Sequence, residues 1–296
     1  MVKFTVFGDL HFDEVADGSK RVKELATHIK AASPDFVVSL GDLCKPVIEN
    51  KEQVFSQFEK AGAPVYHVIG NHETDACRLD TALDFLSLST PYYSFEHGGI
   101  KFIVLNSCYF KTDGRENAYF GRNYRENSSI YPIIPKAEIE WLEKELSDSK
   151  KYVIFSHHSL VNEHRDRGIH NKEEVRDLFR GKDVLLCMNG HDHGDGFAIV
   201  NDIPYYTVNS ASYVWCGSQI VSSRELKAKY EHLHGMLLYK QALYVNVEID
   251  DKEIRIQGMN GEYLSVTPED IELYDYRWNG VSIKAQTSSQ VICRHN

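Results

Sequence analysis

The stretch Asn189-Gly190-His191-Asp192-His193-Gly194 carries two histidines, two residues apart, directly after the apolar run Val184-Leu185-Leu186-Cys187-Met188. That run predicts a buried strand, and residues two apart in a strand point to the same side. In a tight turn at the strand end, the two imidazoles can converge on one centre or straddle two adjacent centres. Imidazole pairs of this kind hold zinc, manganese or iron in many proteins. The stretch therefore predicts a metal site if matching ligands follow other strands.

Length and composition are those of a globular chain. The 296 residues, 42% hydrophobic and 26% charged, can bury a large core as one domain, or as one domain with an appendage. A formal net charge of −10 argues against a duplex nucleic acid partner, which would require a basic face. Metal ions and local arginine side chains can bind phosphate even on an acidic protein, so the net charge does not exclude small anionic molecules as partners. No run is long and apolar enough to span a bilayer, so no membrane partner is expected.

The N-terminus and the cysteines indicate a cytoplasmic protein. Residues 1–7 enter a strand directly and lack the basic, apolar and small-residue zones of a signal peptide. The six cysteines are scattered, with no C-x-x-C pair, and several lie in apolar or strand-like surroundings. These features predict reduced, mostly buried thiols.

The first part of the chain alternates strands and helices. Strands are predicted at 3–7, 35–40 and 64–69, with helices at 19–32 and 51–60 between them. Each strand is followed by glycine and polar residues. This order is typical of βαβ units that place functional residues at the carboxyl ends of the strands.

The rest of the chain mixes hairpins, strands and helices. A hairpin is predicted at 92–105, helices at 135–147 and 172–180, and strands at 152–155, 184–188, 204–208, 236–238, 242–249 and 253–257. Residues 107–134, 210–232 and 259–296 show no sustained periodicity. Residues 107–134 are rich in aromatic side chains, which indicates an ordered excursion that either packs as a loop or offers a stacking surface to a base. We predict a catalytic domain over 1–258 and a C-terminal extension over 259–296 that packs on it.

Polar residues with oxygen or nitrogen donor atoms follow five of the predicted strands. Carboxylate, amide and imidazole groups are the oxygen and nitrogen donors that a hard-to-borderline divalent metal accepts. A lone aspartate at a strand end is usually a cap for the next helix, but the joint occurrence of these residues in this order is not plausibly accidental. The residues are Asp9, His11, Asp42, Asn71, His72, His157, His191 and His193.

Their order resembles the calcineurin-like metallophosphoesterase superfamily, whose signature is D-x-H, G-D, G-N-H-[DE], a histidine after a strand, and G-H-x-H. The corresponding residues are Asp9-Leu10-His11, Gly41-Asp42, Gly70-Asn71-His72-Glu73, His157 and Gly190-His191-Asp192-His193. The resemblance covers roughly residues 3–210. It implies an α/β fold, specifically a four-layer α/β/β/α sandwich with mixed sheets.

The resemblance also implies a dinuclear centre of manganese, iron or zinc ions. In that family two ions share a hydroxide that attacks phosphorus, and they neutralise the charge that develops on the phosphoryl oxygens. Carried over by position, one ion would be held by Asp9, His11 and His193, the other by Asn71, His157 and His191, and Asp42 would bridge them.

The resemblance assigns His72 a catalytic role beside Asp42. As a histidine it can be cationic near neutral pH, so it is implied to act as general acid or as a donor to a phosphoryl oxygen. Whether Glu73 or a backbone carbonyl orients His72 is left open by the sequence. Further substrate contacts are expected from Asn71, Tyr119 and Arg122.

Two sequence features narrow the prediction of the metal centre and of the substrate class. Lys45 replaces the tyrosine that purple acid phosphatases place three residues after the bridging aspartate, so a purple iron centre is not expected. Patterns in 92–105 and 190–207 resemble the branch of small-molecule phosphodiesterases and nucleotide diphosphatases. We therefore predict hydrolysis of a small phosphodiester or nucleotide diphosphate. The alternatives are a phosphomonoesterase and a non-catalytic metal-binding scaffold, and the oligomeric state is not indicated.

Overall fold

Two six-stranded sheets organise the computed structural model, which describes residues 1–121, 130–164, 167–216, 223–229 and 235–294. In chain order the strands are β1 (Val2–Phe7), β2 (Phe36–Ser39), β3 (Val65–His67), β4 (Tyr93–His97), β5 (Ile100–Val104), β6 (Tyr109–Thr112), β7 (Arg115–Ala118), β8 (Lys151–Ser156), β9 (Asp183–Asn189), β10 (Gly196–Val200), β11 (Ile203–Thr207), β12 (Tyr213–Trp215), β13 (Met236–Leu238), β14 (Val245–Ile249), β15 (Glu253–Gln257), β16 (Arg277–Trp278), β17 (Val281–Ser282) and β18 (Gln290–Cys293). The helices are α1 (Gly18–Ala32), α2 (Ile48–Ala61), α3 (Leu79–Leu86), α4 (Lys136–Glu145), α5 (Lys172–Asp177) and α6 (Arg224–Lys229), and 3-10 turns cover His72–Thr74 and Glu269–Ile271.

Both sheets are mixed. The first has the order β18-β15-β14-β1-β2-β3, in which β1, β2 and β3 run parallel and the remaining pairs are antiparallel. The second has the order β10-β11-β9-β8-β5-β4, in which the four central strands run parallel and both outer pairs are antiparallel. The predicted mixed α/β class is therefore confirmed.

The largest apolar cluster contains side chains from both sheets. The ring of Phe4 stacks on Phe36 with centroids 5.1 Å apart, and it meets the edges of Phe102 and Phe155 on the other sheet. Burial of each such side chain contributes about 1.5–3 kcal/mol. Apolar residues of α1 and α2 join strand residues of the first sheet in a second cluster, and those of α4 and α5 join the second sheet in a third. This packing fixes the two sheets relative to each other and so determines where the ends of their strands lie.

The long, strongly patterned elements lie where the sequence predicts them, whereas short elements were missed. Residues 107–134, which show no sustained periodicity in the sequence, contain the hairpin β6–β7. The segment 210–232 contains β12 and α6, and 259–296 contains β16, β17 and β18. Strand β10 had also gone unpredicted. Strands of two to five residues show too few alternations for a period to be recognised.

The C-terminal residues pack against both sheets. Strand β18 pairs with β15 at the edge of the first sheet. Ser282 forms a bridge with Asp195, and the side-chain amide of Asn209 donates to the carbonyls of Lys284 and Gln286. The proposed boundary at residue 258 stays a prediction.

Two further features of the described chain are the length of its helices and the state of its cysteines. The longest helix, α1, has 15 residues. None of the helices in the described part of the chain has the length and apolar character that crossing a bilayer would require. All six cysteines lie among the described residues and are free thiols.

A buried arginine ties α1 to the C-terminal half of the chain. The side chain of Arg21 is 0% exposed, and its Nε donates to Asp17 Oδ1 at 2.7 Å. Its terminal nitrogens donate to the carbonyls of Ala211, Tyr239 and Gln241. A buried charge requires this complete set of partners because desolvation would otherwise destabilise the fold.

We expect the Arg21→Met substitution to lower the free energy of unfolding by about 3–5 kcal/mol, because it leaves Asp17 unpaired and the carbonyls without their donor. Urea-induced unfolding measures this change. Lys20→Met, at an exposed position of the same helix, is the matched control and should change stability by less than about 0.5 kcal/mol. A loss below about 1 kcal/mol in the Arg21 variant would contradict the anchoring role.

Candidate metal centre

The residues after β1, β2, β3, β8 and β9 meet at one edge of the two sheets. Backbone hydrogen bonds join the first two loops: Asp9 N–H donates to Gly41 O and His11 N–H to Asp42 O, both at 3.0 Å. Gly190 N–H donates to His157 O at 3.1 Å and joins the last two. The carboxyl ends of parallel strands thus bring together residues that are up to about 180 positions apart in the chain.

Three glycines of the motifs are required by close contacts rather than by turn type alone. A Cβ on Gly70 would lie 2.2 Å from Asp42 Oδ1, and a Cβ on Gly190 would lie 2.6 Å from Asp9 Oδ2. Gly41 has a φ of +95°, and a Cβ there would lie 2.6 Å from the backbone nitrogen of Gly70. The backbone must therefore approach the two carboxylates more closely than any side chain would permit.

Five of the candidate ligands adopt left-handed backbone conformations. The φ angles are 53° for Asp9, 45° for His11, 53° for Asp42, 63° for His191 and 48° for His193. Each such residue costs about 1–3 kcal/mol, and strain of this kind concentrates at functional sites. The two late histidines lie beyond the end of β9, so they do not follow strand alternation and instead straddle two adjacent positions. Asp192, between them, turns to the side chain of Asn162, whose Nδ2–H donates to Asp192 Oδ2 at 2.9 Å.

The first half of the site contains Asp9, His11 and His193. The Nε2 atoms of the two histidines are 3.2 Å apart, and His193 Nε2 is 3.4 Å from Asp9 Oδ1. The Nδ1 atom of His193 donates to the carbonyl of Tyr213 at 2.8 Å, and His11 Nδ1 faces Glu14 Oε2 at 3.3 Å. Both Nδ1 hydrogens therefore point to acceptors outside the site, and both Nε2 lone pairs point into it.

The second half contains Asn71, His157 and His191. His157 Nδ1 donates to the carbonyl of Leu40 at 2.8 Å, so its Nε2 faces the site. That atom lies 3.2 Å from Asn71 Oδ1 and 3.1 Å from His191 Nδ1. All three side chains are buried.

Asp42 lies between the two halves. Its Oδ2 is 3.4 Å from His157 Nε2 and 3.7 Å from His11 Nε2. Its Oδ1 accepts the backbone N–H of His72 at 2.8 Å. One carboxylate therefore contacts groups from both halves, as a bridging ligand would.

The donor set fits a pair of metal ions. Two nitrogens bound to one ion at about 2.1 Å lie about 3.0–3.4 Å apart for bond angles near 90–109°, and the two Nε2 atoms of His11 and His193 are 3.2 Å apart. Two lone pairs at this distance repel unless a cation lies between them. The set of oxygen and nitrogen donors without thiolate suits Mn, Fe or Zn.

Burial sets the protonation of most of these groups. It lowers the pKa values of His11, His191 and His193, so these rings are neutral, as metal ligands must be. Burial raises the pKa of Asp9 to about 8. A nearby cation would lower that pKa and favour the ionised carboxylate. Burial opposes the charge of His157, but Asp42 raises its pKa to about 9, so an ion would displace a proton there.

His72 lies beside the centre and is held by two carboxylates. Its Nδ1 is 3.1 Å from Asp75 Oδ2 and 3.6 Å from Glu14 Oε1, and its Nε2 is 3.9 Å from Asp42 Oδ2. Among the described residues, neither Glu73 nor a backbone carbonyl holds this ring. Glu73 is turned to the backbone instead, where it accepts the N–H groups of Asp42, Leu43 and Gly70.

The expected substrate-binding residues divide between the site, its surroundings and the undescribed part of the chain. Asn71 and His72 face the centre. Tyr119 is buried, and its hydroxyl donates to Asp75 Oδ1 at 2.8 Å. Arg122 lies outside the described residues. His158, next to a candidate ligand, contacts Ser107 Oγ through Nδ1 at 2.9 Å.

Sequence reasoning missed several residues that support the site. Glu14 and Asp75 each follow a site histidine by three residues, a spacing that could have identified them. Ser210 and Ser212 donate to the carbonyls of Asp9 and Leu10, and the ring of Tyr213 lies 4.6 Å from that of His193. These last residues come from an irregular segment, where no local pattern marks them.

Comparisons with known proteins agree with this geometry. The family model described as calcineurin-like phosphoesterase matches residues 2–195. The serine/threonine-protein phosphatase CPPED1 of Pongo abelii is 26% identical and that of Homo sapiens 25% identical, and each alignment covers 54% of this chain and 54% of the relative. The chain thus spans about half the length of these curated relatives.

Solved structures share the fold at low sequence identity. A dimetal phosphatase from Danio rerio has a TM-score of 0.61 at 14% identity and covers 88% of this chain and 96% of its own. GAP50, described as the anchor in the inner membrane complex of Plasmodium, has a TM-score of 0.59 at 13% identity and covers 100% of this chain and 89% of its own. The predicted superfamily, inferred from the motifs, is confirmed because the family model matches well over half of the chain. The chain belongs to the calcineurin-like phosphoesterase family.

Proposed function

We propose that the chain hydrolyses phosphoester bonds with two metal ions at this centre, and that its substrate is a small phosphodiester or nucleotide diphosphate. The observation that carries the proposal is the contact of His11 with His193. Their Nε2 atoms lie 3.2 Å apart while both Nδ1 atoms face acceptors elsewhere. Such a pair is poorly suited to hydrogen bonding within the protein and well suited to a cation.

Two bound ions would neutralise charge on the phosphoryl oxygens and lower the pKa of a bound water. The chain supplies the ligands and fixes their orientation through hydrogen bonds to backbone carbonyls, as supporting residues of metal sites commonly do. The residues that would hold the ions are Asp9, His11 and His193 for one, Asn71, His157 and His191 for the other, and Asp42 for both.

His72 would supply the proton for the leaving group. Burial opposes its charge, but Asp42, Asp75 and Glu14 raise its pKa well above the ordinary value, so the ring holds a proton near neutral pH. The side chain is 19% exposed, whereas the candidate ligands are nearly inaccessible. The proton-bearing ring therefore lies where a substrate would enter.

The substrate class rests on sequence pattern and on access to the site. Entry past His72 and Glu14, each about one-fifth exposed, suits a small phosphoester. Phosphomonoester hydrolysis is the second candidate, because the curated relatives are named serine/threonine-protein phosphatases.

We expect faster turnover of bis-p-nitrophenyl phosphate than of p-nitrophenyl phosphate by the Mn²⁺-loaded protein. Release of p-nitrophenol, followed as kcat/KM for both substrates, measures the preference. The chelator-treated protein is the control and should hydrolyse neither. A large preference for the monoester would overturn the choice of substrate and favour the second candidate.

The Asp42→Asn substitution should release at least one of two ions per chain, because the amide removes the shared negative charge between the half-sites. Elemental analysis of the reconstituted protein gives the stoichiometry. Asp251→Asn, at a fully exposed position, should keep the native metal content. Retention of both ions by the Asp42 variant would contradict the bridging role.

The His72→Ala substitution should keep both ions and lower kcat by roughly 10²–10⁴-fold, the usual contribution of a general acid. Steady-state kinetics and metal analysis on one preparation test both parts. His97→Ala, at the exposed end of β4, is the matched histidine control. An unchanged rate in the His72 variant would remove this residue from the mechanism.

A further inference from the structure

We infer that Asp75, held by Tyr119, is a positioning residue for His72; the inference rests on the proposed function of His72 as proton donor. Asp75 Oδ2 lies 3.1 Å from His72 Nδ1, and Asp75 Oδ1 accepts the Tyr119 hydroxyl at 2.8 Å. The two oxygens of one carboxylate therefore face the imidazole and a buried phenol. This arrangement fixes the carboxylate as well as the ring.

The local backbone explains the contact. Residues His72–Thr74 form a 3-10 turn, in which side chains three positions apart lie above one another. The turn is closed by the N–H of Thr74, which donates to the carbonyl of Asn71 at 3.2 Å. Asp75 is thereby placed over His72 by the same turn that follows the candidate ligand Asn71.

Glu14 also lies near His72, but its carboxylate faces His11 as well. Its Oε1 is 3.6 Å from His72 Nδ1, longer than the contact of Asp75, and its Oε2 faces His11 Nδ1 at 3.3 Å. A change at Glu14 would therefore disturb a candidate metal ligand as well as His72. Asp75 provides the cleaner test of ring orientation.

The orientation matters because the two ring nitrogens have separate tasks. With Nδ1–H donated to Asp75, Nε2 is directed to the centre, 3.9 Å from Asp42 Oδ2. As the water-derived oxygen bonds to phosphorus, the bond from phosphorus to the leaving oxygen breaks, and that oxygen takes the proton from Nε2. The ring ends neutral with its Nδ1–H retained. Without the carboxylate the ring can rotate away, and a displacement near 1 Å can cost about 10²-fold in rate.

The test compares Asp75→Asn and Tyr119→Phe with the exposed control variants Asp80→Asn and Tyr274→Phe, all loaded with Zn²⁺. Kinetics use a series of aryl phosphoesters, of the class that the native protein hydrolyses, whose phenols differ in pKa. We expect Asp75→Asn to lower kcat by about 10–100-fold with two ions retained and little change in KM. The loss should grow with the pKa of the leaving phenol, because a poor leaving group depends most on the acid. Tyr119→Phe should show a smaller loss with the same dependence.

Proton NMR of the Zn²⁺-loaded protein gives a readout independent of turnover. The Nδ1–H signal of His72 should shift upfield in Asp75→Asn, because an amide oxygen is a weaker acceptor than a carboxylate. An unchanged signal, an unchanged kcat, or an equal loss for every leaving group would overturn the inference. If His72→Ala slows the reaction while Asp75→Asn and Tyr119→Phe do not, the inference fails and the proposed function stands. If His72→Ala itself is fully active, the proposed role of His72 fails, and the inference with it.

Discussion

The concentration of buried acceptor atoms at one edge of the two sheets is the constraint on which the site depends. Seven side chains with oxygen or nitrogen donors for a metal converge there, and all seven are buried. Burial of a polar group without a partner costs about 2–7 kcal/mol. His157 and His193 donate their Nδ1 hydrogens to the carbonyls of Leu40 and Tyr213. The Nε2 atom of each ring then faces other acceptor atoms of the site. A pair of cations would satisfy these groups together, and the family to which the chain belongs is one of metal-dependent hydrolases.

The same constraint accounts for the unusual backbone around the site. Left-handed residues and close glycine contacts bring the carboxylates of Asp9 and Asp42 within reach of candidate ligands from distant strands. Glu73 stabilises this arrangement, since its buried carboxylate accepts three backbone N–H groups from the loops after β2 and β3. Its pKa rises to about 7, mainly through burial and secondarily through the charge of Asp42. The fourth residue of the G-N-H-E motif therefore supports the backbone that carries the candidate ligands and does not orient His72.

Much of the fold and the centre could be predicted from the sequence, for identifiable reasons. Long buried strands and amphipathic helices carry strong periodic patterns, and each candidate ligand follows such a strand within a few residues. The supporting residues lack that signal. Tyr213 and Ser210 belong to a segment of short, irregular elements, and their contacts with His193 and Asp9 join residues 20 and 201 positions apart. Glu14 and Asp75 could have been found by their three-residue spacing from His11 and His72, but many surface carboxylates show the same spacing, and burial decides which of them matter.

The partner of Nδ1 separates two chemical uses of histidine within this one site. In His193, Nδ1 donates to a neutral carbonyl, and burial lowers the pKa of the ring, so Nε2 is a lone pair suited to a metal ion. In His72, Nδ1 faces carboxylates, which offset the same burial and keep the ring protonated. The rings of His11 and His72 meet edge to face with centroids only 4.7 Å apart, yet burial lowers the pKa of His11, whereas the carboxylates around His72 overcome burial and raise its pKa. Residue type alone therefore does not decide between a candidate ligand and a candidate acid, because the acceptor placed behind each imidazole sets its protonation state.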